Sequence, residues 1–244
     1  MDGRIEAIIK HLREMRLPVM AEELYAMADN NEIITLSAID VLERMVENEL
    51  ISRKTNTAFR YRKNAHFSQQ SARIENIEYK PERKINESII QQLETNSYIT
   101  KHRNVVILGA CGTGKSYIGN ALGTHACDHL YKVLYKRMFE FTAEFNQARL
   151  SGTEGKVLNK YAKPDLLIID DFLINSLNER EALDVFKVLE MRYGIRSTII
   201  CSQLEPEEWH KRLGSGQLAD SILDRIIPNA YTLVIQGDSM RKIK

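Results

Sequence analysis

Ile5, Ile8, Ile9 and Leu12 recur at the i, i+3, i+4, i+7 spacing of an amphipathic helix over residues 3–17, with Pro18 expected to stop it. A second helix is expected over 21–30. A third opens at Ser37, an N-cap with Asp40 in the first turn, and Leu42, Met45, Val46 and Leu50 form its expected buried face. The first fifty residues therefore read as a small helical module whose apolar stripes pack on one another. Tyr79-Lys-Pro-Glu-Arg-Lys84 lies in a stretch, 76–90, that reads as a linker, and a short helix is expected over 86–94.

Beyond residue 100 the pattern changes. Short apolar runs at 105–108, 132–136, 165–171, 197–201 and 231–235 read as buried strands. Between them lie helical stretches at 116–127, 138–150, 206–213 and 217–226. One more opens at Asn178, where Glu181 completes a capping box. Its inner face is expected to carry Ala182, Val185, Phe186, Leu189 and Tyr193, with Gly194 closing it. Residues 151–155 read as a loop. Strands alternating with helices predict an α/β fold, a parallel five-stranded sheet between helices. The expected domains are a helical one over 1–75, a linker over 76–90 and a nucleotide-binding one over 91–244.

Composition adds little except in its distribution. Of the 244 residues, 43% are hydrophobic and 27% charged, ordinary values for a globular chain with room for a large core. The net charge is only +1, yet residues 1–50 hold five Lys/Arg against eleven Asp/Glu, and residues 51–84 hold nine Lys/Arg against three Glu. In the second stretch Arg53, Lys54, Arg60, Arg62 and Lys63 are interleaved with Phe59, Tyr61 and Phe67. That is the electrostatic footprint of a surface that grips nucleic-acid phosphates without reading bases. Three scattered cysteines, Cys111, Cys127 and Cys201, argue against a disulfide framework and for a reducing cytoplasm. No apolar run is long enough to span a membrane, and the six histidines show no metal-site spacing.

The chemistry is concentrated after the first strand. Gly109-Ala110-Cys111-Gly112-Thr113-Gly114-Lys115-Ser116 has the G-x-x-x-x-G-K-S spacing of a phosphate-binding loop, with Tyr117 following in the expected helix. Its glycines let successive N–H groups converge on one anion, and the helix N-terminus adds partial positive charge there. Lys115 brings a full charge to the outer phosphates of a nucleotide, and the Ser116 hydroxyl is placed to hold Mg²⁺. The run 165–171 ends in Asp170 and Asp171. Asp170 is expected to hold the metal with Ser116, and Asp171 to polarise the attacking water. Either Ser202 or Gln203, after the fourth strand, could align that water or the γ-phosphate. Arg225 ends the helix at 217–226, and Arg241 lies near the last residue; each could present a cation to a phosphate.

Taken together, these segments resemble the initiator branch of the AAA+ ATPases, and most closely the IstB-like transposition helper ATPases of bacterial insertion sequences. The resemblance covers nearly the whole chain. It rests on Leu12-Arg-Glu-Met-Arg-Leu-Pro-Val-Met-Ala-Glu-Glu-Leu24, the loop at 109–116, Leu167-Ile-Ile-Asp-Asp-Phe172, Ser197-Thr-Ile-Ile-Cys-Ser-Gln203, Leu218-Ala-Asp-Ser-Ile-Leu-Asp-Arg225 and Gly237-Asp-Ser-Met-Arg241. It implies a P-loop AAA+ nucleotidase that hydrolyses ATP with Mg²⁺, with Asp171 in place of the usual catalytic Glu. It implies Arg225 as an arginine finger and Arg241 as a second sensor. It also implies a homo-oligomer with ATP sites between subunits, which binds double-stranded DNA and presents it to a partner transposase. A helicase loader of the DnaC type, sharing the ATPase core, is the alternative.

Overall fold

The computed structural model describes residues 2–240, and its contacts divide the chain into two compact units, residues 1–60 and 61–244. In the first, α1 (Gly3–Glu14) and α2 (Pro18–Asp29) pack together, followed by the beginning of α3 (Ala38–Ala65). Ile9, Leu12, Ala21, Leu24, Met27 and Met45 form the core of this unit. Pro18 does not stop α1, which ends at Glu14; it is the first residue of α2, where a missing N–H costs no hydrogen bond. The start of α2 is capped from far along the chain. Glu49, almost buried, accepts from Val19 N–H at 3.0 Å and Met20 N–H at 3.2 Å. Burial pushes its carboxyl up, but the Arg53 guanidinium and those two amides outweigh that and hold it below the usual range. The expected buried face of α3 is corrected: Met45 is buried, but Leu42, Val46 and Leu50 are each about half exposed.

The second unit is the expected sheet. Strands β1 (Val105–Gly109), β2 (Val133–Arg137), β3 (Leu166–Asp170), β4 (Ser197–Ser202) and β5 (Tyr231–Ile235) lie in the order β2-β3-β4-β1-β5, all parallel. Alternate residues feed two cores. Val105, Ile107, Tyr135, Ile168, Ile199 and Leu233 meet α6 (Lys115–Asp128) on one face. Val106, Leu108, Leu134, Leu167, Ile169 and Ile200 meet α7 (Met138–Leu150), α9 (Glu179–Arg192) and α11 (Gly216–Ile226) on the other. The capping box at Asn178 and Glu181 is present. Tyr193 is not inward but 58% exposed, and Val188 and Arg192 take the buried places instead.

Three stretches differ from expectation. Residues 154–162 are helical, α8 (Glu154–Ala162), where the glycines of 151–155 suggested a loop. The helices expected over 86–94 and 206–213 are present as α4 (Glu87–Glu94) and α10 (Pro206–Arg212), but a further short helix, α5 (Ser97–Thr100), stands before β1 where none was expected. The expected linker, residues 76–90, holds buried Ile77, Arg83 and Ile90, and the residues just before it are packed as well. Ala65, Phe67, Ala72, Ile74 and Ile77 are buried in the core beneath α6, and the contact boundary falls at 60/61 instead of at 75 and 90. The Phe67 ring sits so close to α6 that a Cβ on Gly123 would lie 2.6 Å from it.

Candidate nucleotide site

The parallel register puts the carboxyl ends of β1, β3 and β4 side by side, where crevices form in such sheets. Residues 109–114 leave β1 there and turn into α6. Gly112 and Gly114 have φ of +83° and +98°, a region closed to most side chains. Space is as restrictive as backbone: a Cβ on Gly112 would lie 2.1 Å from Ser239 Oγ, and one on Gly114 2.7 Å from Arg83 Nη2. Lys115 is the first residue of α6 and is only 6% exposed. Its Nζ donates to Ala110 O at 2.8 Å, and Thr113 Oγ1 donates to the same carbonyl at 2.9 Å. Burial lowers the pKa of this amine, against the opposing pull of Cys201 and Asp170. Ser116 lies in the first turn of α6 and is half-buried; Cys111 is exposed. Tyr117 is half-buried and its hydroxyl donates to Arg73 O at 3.3 Å, which ties α6 to the segment before it.

Asp170 ends β3 and is 1% exposed. Its Oδ2 accepts from Tyr135 OH at 2.7 Å, and its Oδ1 from Asp171 N–H at 2.9 Å. Each oxygen keeps a lone pair, so the carboxylate can still accept a cation or water. Beside Asp170, burial raises the pKa of Tyr135, which holds the phenol as a donor. Asp171 and Leu173 both have positive φ, at 56° and 58°. The tight bend they make drops Phe172 into the core, edge-on to Trp209 with ring centroids 5.0 Å apart, and leaves Asp171 half-exposed.

The two polar residues after β4 part company. Ser202 is fully buried; its hydroxyl donates to Phe172 O at 2.9 Å and accepts from Trp209 Nε1 at 3.1 Å and Leu204 N–H at 3.1 Å. That hydroxyl braces the bend after Asp170, whereas Gln203 is exposed. Arg225 is not at this end of the sheet. Asn104, just before β1, donates to Arg225 O at 2.7 Å, so Arg225 belongs to the amino ends of the strands. Its guanidinium pairs with Glu190 at 2.6 Å and lies over the rings of Phe186 and Tyr193. Arg241 lies outside the described residues. The basic stretch is largely tied down: Arg53 pairs with Glu49 at 2.7 Å and donates to Arg16 O at 2.6 Å, and Arg62 pairs with Asp128 at 2.8 Å. Lys54, Arg60 and Lys63 are exposed.

Arg83 is a residue that the sequence reading missed. It is 6% exposed, donates from Nη2 to Thr113 O at 2.8 Å and from Nη1 to Glu78 O at 2.6 Å, and burial lowers its pKa. A trans peptide points its C=O and N–H opposite ways, so holding the Thr113 carbonyl directs the Gly114 N–H away from Arg83. Its own carbonyl accepts from Gln236 N–H at 2.9 Å, and Met240 N–H reaches Gly112 O at 2.9 Å. The loop is thus held between residues 78–84 and 236–240. No spacing rule pointed there, because the loop carbonyl that it holds lies thirty residues away. A hydrogen bond from a charged group contributes about 1.5–3 kcal/mol. Arg83→Met is therefore expected to weaken ATP binding roughly tenfold or more, with calorimetry as the measurement; unchanged affinity would remove the residue from the site.

The sequence pattern of IstB-like ATP-binding proteins matches residues 10–244. This chain belongs to that family. It is 35% identical over 234 residues to an insertion sequence ATP-binding protein of Sinorhizobium fredii (strain NBRC 101917 / NGR234), covering 95% of this chain and 94% of the relative. It is 27% identical to the ATP-binding protein of insertion sequence IS5376 from Geobacillus stearothermophilus, over 97% of this chain and 94% of the relative. Among solved structures it is similar to the replication initiator DnaA bound to AMPPCP and single-stranded DNA: TM-score 0.58, 22% identity, 70% of this chain and 52% of that one. The DnaC helicase loader matches with a TM-score of 0.55 and 16% identity, over 68% of this chain and 97% of that one. These likenesses identify a P-loop AAA+ fold. This IstB-like chain is an ATPase whose phosphate loop and Asp170 stand at the carboxyl edge of the sheet.

Proposed function

We propose that this protein is an ATP-dependent helper of DNA transposition that assembles on duplex DNA and presents it to a partner transposase. The observation that carries the ATP half is the convergence of a glycine-hinged loop, a buried lysine and a buried carboxylate at one edge of the sheet. The insertion-sequence context of relatives matched along almost their whole length supports transposition over helicase loading. The DnaC likeness, at 16% identity, extends to the fold alone.

In this reading the loop amides and Lys115 hold the phosphates. Ser116 and Asp170 hold Mg²⁺, which would neutralise charge on the outer phosphates. Asp170 fits that role because it is buried and keeps acceptor capacity while Tyr135 and the Asp171 amide fix its orientation. Asp171, on its positive-φ bend, orients the attacking water, and Gln203 is better exposed than Ser202 to align the γ-phosphate. Arg225 acts on the nucleotide of a neighbouring copy. Arg241 as second sensor and a cytoplasmic location complete the proposal. Among the described residues no helix is long and apolar enough to cross a membrane. Lys54, Arg60 and Lys63, with Arg53 and Arg62 as their ion-paired neighbours, contribute phosphate contacts.

The decisive experiment is a co-sedimentation assay with duplex DNA, the transposase encoded beside the gene, and ATP, ADP or no nucleotide. Recruitment of the transposase to DNA only with protein and ATP is expected. Recruitment that ignores nucleotide, or capture of a replicative helicase in place of the transposase, would overturn the proposal. Neutralising Arg60 and Lys63 together should weaken DNA binding and flatten its salt dependence by up to about two in log–log slope, at about 0.9 per phosphate contact. An unchanged slope in a salt titration would move the contact elsewhere.

A further inference from the structure

The amino ends of the strands, at the opposite edge from the phosphate loop, carry an excess of cations, of which only Arg225 has a part in the proposed ATP chemistry. Two grooves lie there. One, of about 600 Å³, is lined by Lys132, Lys156, Lys160 and Lys163 with Asn159 and Pro164, and by no carboxylate. The other, of about 320 Å³, includes Lys101, Arg103, Arg192 and Arg196, together with Arg225, and again no carboxylate. They adjoin. Pro164 lines the first, and its carbonyl accepts from Arg192 of the second at 2.8 Å. Asp165 joins them also: Oδ1 pairs with Arg196 at 2.8 Å, and Oδ2 accepts from Lys132 N–H at 2.9 Å.

The origin of the band is topological. Lys132 precedes β2, Asp165 precedes β3, Arg196 precedes β4 and Arg103 precedes β1, so four strand entries in spatial order deliver these residues to one edge. Helix α8 adds Lys156 and Lys160 one turn apart, with Lys163 just beyond its end. Acids only partly offset the charge. Asp165 pairs with Arg196, Glu144 with Lys160, and Glu190 with Arg225. Lys101, Arg103, Lys132, Lys156 and Lys163 are exposed, and among the described residues none of them pairs with a carboxylate. Behind them the guanidinium of Arg192, 1% exposed, is met by the carbonyls of Tyr161, Ala162, Pro164 and Ser197 and by the Thr198 hydroxyl, with no carboxylate. Burial and the nearby Arg196 push its pKa down to about 9, with Asp165 opposing them.

We propose that this band is a binding surface for the phosphate backbone of duplex DNA. It rests on the DNA-binding reading above and gives it a second, larger surface on the ATPase unit. Strands pair about 4.8 Å apart, so from β2 to β1 the band runs three intervals, about 14 Å. That exceeds the roughly 12 Å width of the major groove. Cations at its two ends can therefore meet phosphates on both rims of the groove. Flexible lysines on a shallow surface suit a sequence-blind grip, since phosphate contacts position the duplex without reading it. Within one copy the phosphate loop at the other edge of the sheet is left free, and Arg225, at the margin of the band, stays available to a neighbouring copy's nucleotide.

The test compares the full-length wild type with Lys132→Gln/Lys156→Gln/Lys163→Gln and, separately, Lys101→Gln/Arg103→Gln. Anisotropy is read with a 30-base-pair duplex and with a single strand of equal length, in ATP analogue and Mg²⁺, over 50–200 mM salt. DNA-free ATP turnover and the unfolding midpoint are measured alongside. Expected for the triple variant are unchanged turnover and midpoint, a tenfold or greater loss of duplex affinity, and a salt slope shallower by about two to three; the double variant should lose about half as much. Duplex affinity and slope equal to wild type in both variants would overturn the inference while leaving DNA binding intact. Loss confined to the single strand would overturn the duplex assignment. Wild type that binds no duplex at all would instead sink the DNA-binding reading itself.

Discussion

Lys115→Ala is expected to abolish ATP turnover and to remove measurable heat on titration with ATP and Mg²⁺. The side chain is almost buried, and its ammonium is committed to Ala110 O within the loop. Burial already disfavours its charge, and Asp170 beside it only partly restores the balance. Triphosphate oxygens would be stronger partners for that ammonium than one carbonyl, because hydrogen bonds between charged groups are roughly twice as strong as neutral ones. Alanine removes this charge and leaves the loop amides to face the phosphates alone. At 1.36 kcal/mol per factor of ten, losing two or three such bonds at about 1.5–3 kcal/mol each amounts to several orders of magnitude. The fold should survive, since the side chain's hydrogen bond is to the loop carbonyl of Ala110 and the contact of Cys201 is with the Lys115 backbone, which alanine keeps. Turnover within tenfold of wild type would remove the phosphate loop from the centre of the account.

Arg225→Ala should leave ATP binding near wild type and reduce turnover by about 10³-fold or more, the range known for arginine fingers. The argument is one of distance. Arg225 is hydrogen-bonded through its carbonyl to Asn104 at the beginning of β1, and the phosphate loop begins after Gly109 at its end. Five residues at about 3.3 Å each separate the two by roughly 17 Å. An arginine cannot cross that within one copy, so any catalytic part it plays is on a neighbour. Glu190, Phe186 and Tyr193 hold the guanidinium in place, and the half-exposed tyrosine leaves that side open. Mixtures of Arg225→Ala with Asp171→Asn subunits should regain turnover, because each mutant can complete a site the other lacks. Absence of rescue at any ratio, with both mutants folded and binding ATP, would make Arg225 a surface ion pair and nothing more.

Local signals located most of the candidate site. The spacing from Gly109 to Ser116 needs only near neighbours, because a loop that feeds a helix N-terminus is built from consecutive backbone groups. The apolar run ending in Asp170 is legible for a similar reason: a strand buried on both faces leaves no polar position until it emerges. Asn178 and Glu181 announced their helix because a capping box closes within four residues. Where the partner was distant, sequence reasoning failed. Glu49 caps a helix thirty residues earlier, and Arg83 holds a carbonyl thirty residues later. The basic stretch around Arg53 and Arg62 looked free because the acids that bind Arg53 and Arg62, Glu49 and Asp128, include one from another part of the chain.

The chain's own pattern marked the five strands, most of the helices, the loop at 109–116 and the acids that end β3, since each depends on periodicity or on contiguous residues. Three matters waited for the tertiary structure: the strand order β2-β3-β4-β1-β5, the placement of Ser202 inside and Gln203 outside, and the gathering of lysines and arginines from four separate strand entries along one edge. Each is decided by which distant segments share a neighbour, and a one-dimensional pattern with a period of two or 3.6 carries no such distance.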